Sequence, residues 1–83
     1  MVLTLISYKE VFPEALINGL KAVCGEGVGV LLQQLLAICS STNEDRKRES
    51  LERWFESNVR NLGVPCTNAL VKAYEWLKQA GKC

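Results

Sequence analysis

Eighty-three residues with ten Lys or Arg, nine Asp or Glu and no His carry a net charge of +1, and a chain this short builds one modest core, so 1–83 is read as a single domain. Hydrophobic residues make up 48% of it, enough to fold, while the near-neutral balance (pI ≈ 7.6) supplies no general attraction to phosphates or anionic lipids. With no histidine and no Cys-x-x-Cys pair, neither a metal nor a cofactor is expected, and the usual general base is missing.

Met1 to Ile6 is apolar but lacks a basic leader, and Lys9-Glu10 ends the run too early for a secretory signal, so none is expected. Ser7-Tyr8-Lys9-Glu10 has capping-box spacing, which predicts a short helix within 2–11. Pro13 then restarts the chain, as proline suits a first helical turn. Leu16, Leu20, Val23 and Cys24 predict the inner face of a helix that Gly25 stops. Gly19 inside that helix costs about 1 kcal/mol against alanine, so a closely packed neighbour is expected there.

Val28 to Cys39 is the most apolar stretch. Wound at 3.6 residues per turn, Val28, Leu31, Leu32, Leu35, Leu36, Ile38 and Cys39 occupy more than half the circumference. Gly29, Gln33, Ala37 and Ser40 share one narrow stripe with Glu26, which predicts either a strip of solvent or a helix packed very close. A helix apolar on most sides must be covered on most sides. The run falls short of the roughly 20 apolar residues of a membrane span, so no transmembrane segment is expected.

Ser41 to Asp45 reads as a turn and a new helix start, with Thr42 as the cap. The following helix is expected to reach about Leu62, with Leu51, Trp54, Phe55, Val59 and Leu62 inward and Gly63 as its stop. Val64-Pro65 begins a last segment, with Cys66 or Thr67 as its cap. Its inner face is Leu70, Ala73, Tyr74, Leu77 and Ala80, and Trp76 lies at the border. Gly81 ends it, and Lys82-Cys83 reads as a frayed tail. The expectation is an all-α fold, a compact bundle of about five short helices around a buried central one.

Cys24 and Cys39 fall on predicted apolar faces, where free cysteine packs as a small hydrophobe. Reduced structural thiols are therefore expected, in preference to disulfides or zinc, and with them an intracellular (cytoplasmic or nuclear) location.

Two features could touch a partner. Gly27-Val28-Gly29-Val30-Leu31-Leu32 between two helices resembles the hairpin of helix-hairpin-helix DNA-binding modules, whose backbone N–H groups hold a phosphate. The resemblance covers about ten residues and implies a phosphate contact at Gly27 and Gly29. The family's basic or hydroxyl residue after the second glycine is replaced by Val30 and Leu31, and Glu26 would repel a phosphate. Arg46-Lys47-Arg48 is the only basic run. Glu44 with Arg48, Glu49 with Arg53, and Glu56 with Arg60 stand at i, i+4, acid first, which predicts a solvated, charge-matched face.

Trp54 and Trp76 are expected as core anchors and, wherever exposed, as interface residues, with Arg53 and Arg60 at the rim. The leading functional expectation is a non-enzymatic protein–protein interaction domain, adaptor or regulatory, whose partner is another protein or itself, through Arg46, Lys47, Arg48, Arg53, Trp54, Arg60 and Trp76. Helical adaptor domains of the death-fold superfamily are similar in size, with six helices against five here and no shared motif. The alternative is nucleic-acid binding by the Gly25–Gly29 turn and Arg46–Arg48. A third is an apolar-ligand or lipid carrier, which requires an internal cavity.

Overall fold

A computed structural model describes residues 7–83, apart from the side chain of residue 59. The part of the 2–11 expectation that precedes Ser7 lies outside the described residues. α1 (Tyr8–Val11), α2 (Glu14–Cys24), α3 (Val28–Cys39) and α4 (Glu44–Gln79) follow one another, and α4 is interrupted at Gly63 into a first arm, 44–62, and a second arm, 64–79. Counting the arms separately, the described residues form five helical segments, and the fold is all-α.

The interruption is a reversal. A straight helix of 36 residues would measure about 54 Å at 1.5 Å per residue, yet the longest dimension of the molecule is 34 Å. Gly63 sits at φ 77°, ψ 166°, a backbone conformation that glycine adopts without Cβ strain. Pro65 falls in the first turn of the second arm, where no N–H is required. Neither Cys66 nor Thr67 caps this arm: the Thr67 hydroxyl donates to the Gly63 carbonyl at 2.7 Å, and Cys66 is buried in a disulfide. The Phe55 and Tyr74 rings then meet edge to face with centroids 6.0 Å apart, which sets the arms side by side in opposite directions.

α3 is the covered centre. Val28, Leu32, Leu35 and Cys39 are buried on it, and Ile17 and Leu20 of α2 face them in the same core. The arms of α4 add Leu51 and Trp54, then Cys66, Leu70, Ala73 and Leu77. The last four recur at i, i+4, i+7 and i+11, a single helical stripe. Tyr74 and Trp76 are half-buried and Ala80 is exposed, so the inner face is narrower than expected. On α2 the inward residue is Ile17, while Val23 is 48% exposed. The inner stripe is thus Ile17, Leu20 and Cys24, with Leu16 at its border, because the helix is rotated slightly from its expected setting. Among the described residues no neighbour packs closely over Gly19: a Cβ built there meets nothing within 4 Å.

The close approach occurs on α3 instead. A Cβ built at Gly29 would lie 2.5 Å from the Tyr8 hydroxyl oxygen, so only glycine lets α1 lie flat there. The Tyr8 amide donates to Gln33 Oε1 at 3.0 Å, one turn further along the same stripe. Ala37 remains half-buried and Ser40 exposed. The stripe is therefore a close contact at one end and open at the other.

Caps define the remaining boundaries. Ser7 accepts from the Lys9 amide at 3.3 Å. Asn43, rather than Thr42, caps α4, its side chain accepting from the Arg46 amide at 3.0 Å. After Ala80 the chain turns back by paired bonds, Gly81 N–H to Lys78 O at 3.1 Å and Lys82 N–H to Leu77 O at 2.9 Å, a Schellman arrangement.

That turn corrects two expectations. The cysteines are not free thiols, and the tail is not frayed. Cys39 at the end of α3 is bridged to Cys83, and Cys24 at the end of α2 to Cys66. The Cα atoms are 5.0 Å apart across the Cys24–Cys66 bridge and 4.6 Å across Cys39–Cys83, within the span a disulfide requires. Apolar positions on helix ends suit both a packed thiol and a bridge, and only the reversals at Gly63 and Gly81 bring the partners within reach.

The bridges close loops of 42 and 44 residues, each worth about 4 kcal/mol of lost chain entropy in the unfolded state. Replacing Cys24 and Cys66 together by serine is expected to lower the unfolding free energy by about 2–4 kcal/mol in denaturant titrations. Gly29→Ala is expected to push the Tyr8 ring off α3. Hydrogen exchange of the Tyr8 amide then accelerates while that of the second arm of α4 is unchanged.

Candidate functional site

Both tryptophans pack against the core. Trp54 is 9% exposed, its indole N–H donates to Gln34 Oε1 at 2.9 Å, and its ring meets Phe55 edge to face at 5.0 Å. Trp76 is half-buried against Phe12, with centroids 5.5 Å apart. The indole ring of Trp54 packs inside and its N–H is satisfied at the core's edge, the usual compromise for tryptophan. Trp54→Ala is expected to cost about 3–5 kcal/mol of stability, and Trp54→Phe about 1 kcal/mol for the bond to Gln34, both read from denaturant unfolding.

The basic and acidic side chains of the first arm of α4 are only partly matched. Arg53 pairs with Glu49 at 2.6 Å, as the spacing predicts. Glu44 pairs with Lys47 at 3.3 Å instead of Arg48. Among the described residues, no ion pair joins Glu56 to Arg60. Arg46, Arg48, Arg53 and Arg60 are exposed, and such surface pairs contribute little stability.

The glycine turn and the basic run do not share a surface. The short 40–43 connection and the Trp54–Gln34 bond set the first arm of α4 against α3 in opposite directions. Gly27 and Gly29 precede Gln34, whereas Arg46 to Arg48 lie beyond the other end of α3, about 20 Å away by helical rise. At the turn the Val28 amide is taken by Gly25 O and the Val30 amide by Gly27 O, each at 3.2 Å. Tyr8 covers Gly29, and Glu26 stands beside the turn, 4.0 Å from Lys21. The turn is an interhelical connection with α1 laid over it.

Lys47 and Arg48 are instead joined to residues far along the chain. They border a cleft of about 470 Å³ between the two arms of α4. Its floor is Leu51, Phe55 and Tyr74, Lys78 and Glu52 flank it, and the bridged Cys83 closes one end. The Lys78 ammonium lies 5.4 Å from the centre of the Tyr74 ring, a cation–π contact. Phe55, Tyr74 and Lys78 were absent from the sequence-based candidates, because their meeting depends on the register of the two arms.

A second cleft, of about 300 Å³, runs between α2 and the second arm of α4. Leu16, Gly19, Val23, Pro65 and Ala69 line it, with Lys72 at its edge. Both clefts are open to solvent, whereas Leu32 and Leu35 of α3 are fully buried. Among the described residues no helix is long and apolar enough to cross a membrane, and no cluster of three or more His, Cys, Asp or Glu is placed to hold a metal. No protein-family model matches the sequence, and no match to it was found among curated proteins or solved structures.

Proposed function

We propose that the chain is a non-enzymatic helical interaction domain that docks another protein, a second copy of itself included, through the face shared by α2 and the second arm of α4. The observation that carries this reading is the cleft at Gly19. Val23, which lines it, is 48% exposed, and no described residue stands within 4 Å of a Cβ built at Gly19. A glycine costs helix stability, and among the described residues no close packing repays it. A partner helix seated on Gly19 would do so, covering the exposed Val23 beside it.

The chemistry of the interior supports a non-enzymatic role. No polar or charged residue is buried among those described, all four cysteines are held in bridges, and histidine is absent. The two bridges also favour an oxidising compartment over the cytoplasm or nucleus, since cytosolic reductants keep such thiols open.

Sedimentation velocity over a concentration series, with affinity capture, tests the proposal. Association is expected, either of the chain with itself or with a captured protein. Val23→Glu is expected to abolish it without moving the unfolding midpoint. A strict monomer that captures nothing, or association indifferent to Val23→Glu, contradicts it.

A further inference from the structure

The cleft between the arms of α4 shares no lining residue with the one at Gly19, and its chemistry is different. Its floor is aliphatic and aromatic, from Leu51, Phe55 and Tyr74. Its rim carries three cations, Lys47, Arg48 and Lys78, against two carboxylates, Glu44 and Glu52. By side chains alone, one cation is in excess over an apolar floor. Lys47 is engaged by Glu44 and its side chain is only 12% exposed. Arg48 and Lys78 are exposed and have no carboxylate partner among the described residues. Lys78 is held near the floor by the Tyr74 ring, so its charge is positioned before any ligand arrives. The volume, about 470 Å³, falls in the range of roughly 300–1,000 Å³ typical of small-molecule sites.

We propose that this cleft binds a small amphipathic monoanion, a free aliphatic or aryl carboxylate. Its apolar body lies on Leu51, Phe55 and Tyr74, and its carboxylate is held by Arg48 and Lys78. Arginine offers a paired donor face to a carboxylate and lysine a compact charge. A neutral amphiphile of the same shape leaves those cations uncompensated, and a cationic one is repelled. The proposal stands apart from docking at Gly19, and either can fail alone.

The probe is dodecanoate, titrated into the intact oxidised chain. Tryptophan emission reports binding, because Trp54 touches the floor residue Phe55. Saturable one-to-one binding is expected, with dodecyltrimethylammonium weaker by about tenfold or more, and Arg48→Gln with Lys78→Gln weakening dodecanoate by about tenfold. Both substituted side chains are exposed, so circular dichroism of the double variant should match the parent, and the comparison of the two amphiphiles needs no variant at all. Equal affinity for anion and cation overturns the proposal, as does a folded double variant that binds unchanged. So does the absence of saturable binding below the aggregation concentration of dodecanoate, or amide shifts confined to residues 15–23 and 65–72.

Discussion

Two covalent bridges tie α2 and α3 to the second arm of α4 and the segment that follows it. Cys24–Cys66 ties the end of α2 to the start of the second arm of α4. Cys39–Cys83 ties the end of α3 to the segment beyond that arm. Both join ends of helices, where the chain would otherwise fray. A folded unit of about this size buries a small core and is marginally stable by its packing alone. At about 4 kcal/mol each in the chain-entropy account, the bridges rival the net stability of a typical small domain. The apolar contacts decide which helix lies where, and the bridges decide how firmly they stay.

The bridges themselves depend on two glycines. The left-handed turn at Gly63 folds α4 back on itself, which carries Cys66 to α2 and sets the second arm against α3. The turn at Gly81 directs Cys83 toward Cys39. The reversal at Gly63 also creates the cleft between the arms, because it brings Tyr74 and Lys78 opposite Phe55, Leu51 and Arg48. One backbone conformation thus links the fold, the staples and the candidate ligand site.

Much of this architecture is legible in the sequence. The apolar run from Val28 to Cys39 announces a helix that needs cover on most sides, and Gly25, Gly63 and Gly81 mark real ends. Local signals of this kind depend on neighbours three or four residues apart. What depends on distant partners is not legible. Cys39 and Cys83 look like a packed thiol and a loose tail until the Schellman turn is seen to point one at the other. Val23 and Ile17 differ by a modest rotation of α2, and only the setting of that helix against α3 decides which is buried. Phe55, Tyr74 and Lys78 meet through the register of two antiparallel arms, which no spacing along the chain reveals. Arg48 appeared neutralised by Glu44 on spacing, yet Lys47 takes that carboxylate and leaves Arg48 at the cleft.

The central claim is the pairing of the cysteines, and four cysteines allow three complete pairings. Proteolysis of the oxidised, alkylated chain followed by mass spectrometry of the linked peptides distinguishes them. Peptides joined through Cys24 to Cys66 and through Cys39 to Cys83 are expected, with no alkylated thiol. A folded chain with four alkylated cysteines, or with Cys24 joined to Cys39 or to Cys83, would contradict it.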